Sequence, residues 1–391
     1  MSTHIRMIGM RLFVATCLAT MSAAATAIDK LESGIPTDAE APIALLVDVS
    51  SGQVLHAREP DRRFVPASMT KAMTTFLAFE LMAEGALQPS QLIPVRFDTW
   101  QEWRGRGSTM WLPADARVRV NDLLRGITTV SANDASIVLA EGHSGSVDAW
   151  IDAMNEMAVS IGMTNSYFGT PNGWPDEGKT FTTARDLAML ADAMIARHPV
   201  KYTNYVGQSE FSYNDITQNN RDPMIGRVLG ADGIKTGYTN ESGFGFLGTA
   251  KRNGRRLVMV IAGVSSQRER ARLARDYIEY GFSAFDAQRI FNQDEAVGKA
   301  RVQGGSSRSV ELVADRPIFV SKPAGTNAEA RISVIYDGPL RAPIAEGDQV
   351  ASLQIEVDGM PPASVPLLAK QAVDEADLFE RLINGFAGWF S

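Results

Sequence analysis

Ser68 and Lys71 stand three residues apart in FVPASMTKAMTTFLAFE, and Lys71 is the only ionisable side chain between Arg63 and Glu80. On a helix such a pair shares one face, with Cβ atoms about 5–6 Å apart. A serine hydroxyl needs a base to become a nucleophile, and a free lysine, with a pKa of about 10.4, is a poor base at neutral pH. Desolvation in an apolar run and a second cation nearby both lower that pKa, and bringing it near 7 corresponds to roughly 4 kcal/mol of differential solvation. Behind Pro66, Ser68 is expected at the N-terminus of the helix, where free backbone N–H groups can hold an oxyanion. The plainer account of the same pair is a serine cap and a lysine snorkelling to the surface.

Two later motifs bear on the choice. Ser131-Ala132-Asn133 falls in a loop between two helical stretches and offers a proton-relaying hydroxyl and an amide for a substrate backbone. Ser212-Tyr213-Asn214 matches the same short pattern. Lys235-Thr236-Gly237 lies on a predicted strand, where a cation and a hydroxyl can bind a carboxylate while the strand edge pairs with an extended peptide. Gly237 is expected to let a substrate backbone approach closely. Taken singly, this third motif is also consistent with an exposed strand end carrying an incidental lysine.

The elements that must position these residues follow from the hydrophobic pattern. IALLVDV and QVLHA flank the turn SSG and read as a β-hairpin. The Ser68 stretch is helical to about Gly85, VNDLLRGITTV and NDASIVLAEG are two short helices, and SVDAWIDAMNEMAVSIG is a longer one. In that longer helix Trp150, Met154, Met157 and Ile161 recur at core spacing. TTARDLAMLADAMIARH starts at a threonine cap and ends before Pro199. GIKTGYT, GFGFLGTAKR and RRLVMVIAGV are strands, the last two joined at Asn253-Gly254, and SQRERARLARDYIEYGFSAF returns to helix. From about Gln293, short runs such as VELVA, ISVIY and VASLQIEV alternate with Gly and Pro turns, the texture of a small all-β domain.

The 391 residues suffice for two domains. His4, Arg6 and Arg11 precede the charge-free LFVATCLATMSAAATA, which reads as a secretory signal peptide over residues 1–27, cleaved near Ala27. Removing Arg6 and Arg11 takes the formal charge from −7 to −9, which speaks against nucleic acid as a partner. Cys17, the sole cysteine, lies within that segment, so the mature chain has neither disulfides nor a thiol nucleophile. His4, His56, His143 and His198 lack metal-ligand spacing, and no metal or other cofactor is expected. In the last segment Leu378, Phe379, Leu382, Ile383, Phe386, Trp389 and Phe390 fall on one helical face. That pattern suits an interfacial anchor on a membrane, although Arg381 is its only cation; a terminal helix packed on its own domain or a partner has the same pattern.

The three motifs in the order S-x-x-K, S-x-N, K-T-G are far more specific than any one. With them the chain resembles the penicillin-binding proteins and serine β-lactamases, and within that group the low-molecular-weight D-alanyl-D-alanine carboxypeptidases of peptidase family S11. PASMTKAMT, TTVSANDASIVLAE, MTNSYFGTPNG, FTTARDLAMLA, FSYNDITQNNR and DGIKTGYTNESGF all resemble that branch in the same order, over roughly Pro42 to Phe285. Ser212 to Asn214 falls inside FSYNDITQNNR, which leaves the S-x-N role to Ser131.

The resemblance implies an α/β fold of the DD-peptidase/serine β-lactamase type, an antiparallel sheet with flanking helices and a helical subdomain. It is expected over residues 28–290, followed by a β-rich domain over 291–373 and an amphipathic helix over 374–391. The implied reaction is acylation of Ser68 by a peptidoglycan stem peptide at the bond between its terminal D-alanines, followed by hydrolysis. The implied roles are Lys71 as base, Ser131 as proton relay, Asn133 on the acyl-side amide, and the N–H groups of Ser68 and Tyr238 as oxyanion hole. Lys235 and Thr236 are implied to bind the terminal carboxylate, with Arg270 and Arg221 in support. The implied location is the periplasmic face of the cytoplasmic membrane, and β-lactams are implied inhibitors. Ala132 stands where the family often has Gly or Asp, and Tyr238 where it has His or Thr, which bears on specificity and not on the reaction.

Four rival readings compete with this one. A β-lactamase of one class needs a glutamate in E-x-x-L-N, which is missing here, since Asp176 and Glu177 lie in a Gly-flanked loop. A DD-endopeptidase differs only in the leaving amine. A non-catalytic peptidoglycan-binding scaffold has no reason to keep Ser68, Lys71, Ser131 and Lys235 together. A Ser-His-Asp hydrolase fits worst, because Gly142-His143-Ser144-Gly145-Ser146 breaks the G-x-S-x-G pattern at its last position.

Overall fold

A computed structural model of the protein describes residues 34–377. The expected signal peptide, and the expected terminal helix from residue 378 on, lie outside the described residues. Residues 374–377 are not helical; Glu375 instead bridges to Gly305, so the helix expected from 374 does not begin there.

Strands β1 (Ile43–Asp48) and β2 (Gln53–Arg58) form the hairpin expected from the sequence, turning at Gly52 with φ +72°. Two small two-stranded antiparallel sheets follow, β3 (Leu92–Pro94) with β4 (Arg117–Arg119), and the hairpin of β5 (Glu210–Tyr213) with β6 (Ile216–Asn219). The long strands β7 (Ala231–Thr239), β8 (Gly243–Arg252) and β9 (Arg255–Val264) complete an antiparallel five-stranded sheet of order β2-β1-β9-β8-β7. The K-T-G motif therefore sits on an edge strand, with one side of its ladder unpaired within the sheet.

Side chains alternate across this sheet, and both faces are covered. Ile43, Leu45, Leu247, Val258 and Val260 face the core that includes the Lys71–Ala83 helix. Ala44, Leu46, Leu257, Met259 and Ile261 face Leu273 and Tyr277 of the Gln267–Ser283 helix. The Lys71–Ala83 helix is buried continuously from Lys71 to Phe79, so it runs through the core and not along its surface. Trp150 and Met154 are fully buried on the Val147–Ser160 helix, while Met157 and Ile161 are half-buried at its margin. Thr183 caps the Ala184–Arg197 helix through the Asp186 amide, as its position in the sequence suggested.

The C-terminal region holds β10 (Phe285–Phe291), β11 (Ala296–Gln303), β12 (Ser309–Val313), β13 (Ile318–Pro323), β14 (Ala330–Ile335), β15 (Leu340–Arg341), β16 (Gln349–Val357) and β17 (Ala363–Ala369). Six of them form a sheet of order β14-β16-β17-β12-β11-β15, with its own core around Leu312, Leu353, Ile355 and Leu367. The other two, β10 and β13, pair with each other, so strand pairing within this region starts at Phe285, ahead of residue 291.

A buried cluster ties the two parts together. Asp48, fully buried at the end of β1, bonds Arg255 Nε at 2.7 Å, the Ser321 hydroxyl at 2.7 Å and the Ser50 amide at 3.0 Å. Gln53 accepts from the Ser321 amide and donates to its carbonyl, and the Phe319 amide donates to Ser50 O.

Candidate active site

Ser68 does not open the long helix, as its sequence position suggested, but lies in a single 3-10 turn, Ala67–Thr70, that leads into it. Its N–H still belongs to a first turn, where backbone donors lack intrahelical acceptors. The turn is seated by residues without side chains. A Cβ on Gly237 would come within 2.5 Å of Pro66 O, and one on Gly173, at φ +70°, would collide with the Ala67 carbonyl oxygen. Gly237 thus admits the Ser68 turn as well as lining the cleft. Ala67 itself has φ +49° and Ser131 has φ +64°, so two non-glycine residues of the site are held left-handed, at about 1–3 kcal/mol each.

Lys71 is fully buried, and its Nζ is 3.0 Å from Ser68 Oγ, 2.8 Å from Asn133 Oδ1 and 2.6 Å from Asn172 O. Burial holds its pKa well below the ordinary lysine value, aided by the positive charges of Lys235 and Arg221 and opposed by Asp134. A neutral amine has two N–H donors and one lone pair. In that neutral form the two carbonyl oxygens would take the donors and the lone pair would face the serine hydroxyl, whereas the ammonium form donates to all three oxygens. Asn133 is fixed in this orientation because its Nδ2 donates to Arg106 O at 2.9 Å.

Ser131, at the left-handed corner between Val130 and Ala132, lines the same cleft as Ser68, Asn133, Thr236, Gly237, Tyr238, Arg221 and Arg270. The cleft measures about 420 Å³. Ser212 is elsewhere, exposed on β5 and bonded to Thr217, so the second S-x-N match is excluded from the site by position. Tyr238 is 49% exposed and stacks on Phe244 with ring centroids 4.1 Å apart.

Lys235 is buried behind the lining, its Nζ donating to Thr236 O at 3.1 Å. Burial pushes its pKa down to about 7, with Arg221 and Arg270 adding to the effect. Arg270 is also buried and is lowered to about 10 by desolvation. Neither Arg221 nor Arg270 makes an ion pair among the described residues, and the Arg270 Nε has no hydrogen-bond partner. An anion entering the cleft therefore meets Thr236, Arg221 and Arg270 directly, with the Lys235 charge behind them.

Several contributors carried no signature in the sequence. Asn172 acts through its backbone carbonyl, and Gly173 through the lack of a side chain; the Asn-Gly pair signals only a turn. Asp222, buried beneath the cations, is raised to about 6 by desolvation while bonding the Met224 and Ile225 amides. Asp176 is occupied in closing its own loop, bonding both the amide and the hydroxyl of Thr180.

Comparisons with known proteins agree with this arrangement. The family described as D-alanyl-D-alanine carboxypeptidase matches residues 30–266, and that described as penicillin-binding protein 5, C-terminal domain, matches residues 285–375. The chain is 30% identical over 366 residues to the D-alanyl-D-alanine carboxypeptidase DacA of Haemophilus influenzae, covering 93% of each. Against DacA of Escherichia coli K12 the identity is also 30%, over 97% of each chain. Among solved structures, penicillin-binding protein 5 from Haemophilus influenzae superposes with a TM-score of 0.71 at 30% identity, over 86% of this chain and 98% of that one.

Proposed function

The chain belongs to the D-alanyl-D-alanine carboxypeptidase family, and we propose that Ser68 is the nucleophile with which it removes the terminal D-alanine from peptidoglycan stem pentapeptides. The observation that carries this reading is the Lys71 amine, buried and held by two acceptors with its third direction toward Ser68 Oγ. Ser68 Oγ bonds to the carbonyl carbon of the penultimate D-alanine as its proton passes to Lys71 Nζ. The developing oxyanion takes hydrogen bonds from the N–H groups of Ser68 and Tyr238, a contribution on the order of a hundredfold to a thousandfold per donor. Ser131 passes a proton to the departing amine as the C–N bond breaks and takes in its place the proton that Lys71 had received, so Lys71 is neutral again when D-alanine leaves. Water then attacks the Ser68 ester, giving its proton to Lys71 Nζ, which returns it to Ser68 Oγ as the ester C–O bond breaks and the shortened peptide leaves. Thr236, Arg221 and Arg270 hold the substrate's terminal carboxylate, the group that marks a carboxypeptidase substrate, while Asn133 Nδ2 holds the acyl-side carbonyl.

A β-lactam acylates Ser68 by the same step, and nothing in the sequence supplies the E-x-x-L-N glutamate for fast release. The protein is therefore expected to form a long-lived penicillin adduct on Ser68, whereas rapid turnover of penicillin would favour a β-lactamase. The direct assay is release of D-alanine from a stem pentapeptide across a range of pH. On this reading kcat/KM rises as Lys71 loses its proton and falls above about pH 7 as Lys235 loses the charge that attracts the carboxylate. Lys235→Arg keeps that charge at alkaline pH, so its falling limb is expected to move upward; an unmoved limb would assign it to another group.

The signal-like N-terminus and the amphipathic C-terminus support a site of action on the outer face of the cytoplasmic membrane, where the substrate is. Among the described residues no helix is long and apolar enough to cross a membrane. Deleting the residues beyond Asp377 is expected to move the protein from the membrane to the soluble fraction, and unchanged fractionation would refute the anchor.

A further inference from the structure

Beside the catalytic cleft lies a second groove, of about 560 Å³, whose lining includes Trp100, Arg104, Trp111, Asp134, Asn214 and Ile216. The two are neighbours through two chain segments. Gly105 lines the groove while Gly107 lines the cleft, and Asp134 lines the groove while Asn133 lines the cleft.

Trp111 is the most telling residue of the groove. It is 49% exposed and has φ +60°, a left-handed conformation that costs a non-glycine residue about 1–3 kcal/mol. Buried Asp134 maintains that conformation, accepting from the Met110 amide at 3.0 Å and the Leu112 amide at 3.3 Å, on either side of the indole. The half of the indole that remains in water lines the groove and is open to a ligand. Trp100, also in the lining, carries the Arg104 guanidinium over its ring at 4.4 Å. The lining also includes the tip of the β5-β6 hairpin, where Asn214, also left-handed at φ +49°, stands two residues from the exposed Ile216.

Flat aromatic faces interspersed with guanidinium and amide groups suit a ligand that is apolar on its faces and polar at its edges. A pyranose ring has that character: its axial C–H groups form a face that stacks on indole, and its hydroxyl and acetamido groups point outward to Arg104 and Asn214. A membrane surface or an apolar segment of another protein fits less well, because a guanidinium and an amide interrupt the apolar wall. Taking the catalytic reading above as its basis, we propose that this groove is a glycan subsite receiving the amino-sugar residues of the polymer that carries the stem peptide.

The experiment compares Trp111→Ala with the unmodified enzyme on a free stem pentapeptide and on soluble, uncross-linked glycan strands bearing the same pentapeptide, and also measures binding of peptide-free amino-sugar oligosaccharide by tryptophan fluorescence. The expected result is a roughly tenfold fall in kcat/KM on the strands, a change of no more than about twofold on the free peptide, and loss of the oligosaccharide response. Trp111→Phe, which keeps a ring, is expected to restore most of the preference for strands. Equal losses on both substrates would mean a merely structural role and overturn the proposal. So would failure of the unmodified protein to bind peptide-free oligosaccharide, or binding of an apolar peptide in its place. If the free peptide is not cleaved at all, the catalytic reading fails, while oligosaccharide binding still decides the subsite.

Discussion

Ser68→Ala is expected to release no measurable D-alanine from a stem pentapeptide and to take up no penicillin, and Lys71→Arg is expected to come close to it. The arginine tests the role of the base separately from the charge. It remains protonated at any accessible pH, so it cannot receive the Ser68 proton. A positioned general acid or base contributes about a hundredfold to ten-thousandfold, which sets the expected loss in kcat. Lys71→Met removes the donors as well, leaving Asn133 Oδ1 and Asn172 O without the bonds they now accept. It should therefore lose stability in addition to activity. On the proposed mechanism Ser68 and Lys71 act as one unit, so the double variant should be no slower than Ser68→Ala alone. A Lys71→Arg protein retaining a tenth or more of normal acylation would remove Lys71 from the role of base.

The same pair shows what could be read from the sequence and what could not. Ser68, Lys71, Ser131 and Lys235 stood out in the sequence because the proposed roles of nucleophile, base, relay and cation each require a particular side chain, and the three motifs must occur in one order. The long strands were legible because runs such as RRLVMVIAGV are apolar on both faces, as a sheet covered on both sides demands. The supporting parts work through backbone atoms, which leave no trace in residue type. The Asn172 carbonyl that orders Lys71 would serve equally from another residue, and Gly237 and Gly173 matter for a turn of chain distant in sequence. Lys235 was recognised, but its burial behind Thr236 was not, because depth below a surface is set by neighbours far away along the chain. The C-terminal strand pairing was placed at Gln293 and starts at Phe285, since FDAQRIF follows a helix without an intervening Gly or Pro.

Asp48→Ala is expected to cost about 3–5 kcal/mol, although Asp48 is remote from the catalytic cleft in function. The loss arises because Arg255, itself buried, would be left as an uncompensated charge, and the Ser321 hydroxyl and Ser50 amide would lose their acceptor. For a domain of this size each kcal/mol corresponds to roughly 2–4 °C, so Tm should fall by about 10 °C. Asp61, which pairs with Arg185 at 2.7 Å but is largely exposed, provides the contrast. There solvent screening leaves about 0–1 kcal/mol, and Asp61→Ala should shift Tm by only a few degrees at most. The position of Ser321 on β13 adds a second consequence. Asp48 and Gln53 together fasten the C-terminal region to the β1-β2 hairpin, so Asp48→Ala should also make the chain more open to protease near the Ser283–Phe285 junction. Equal Tm shifts for Asp48→Ala and Asp61→Ala would mean that the buried pair contributes no more than a surface one. Unchanged proteolysis at the junction would mean that Gln53 and Ser50 suffice to hold the two parts together.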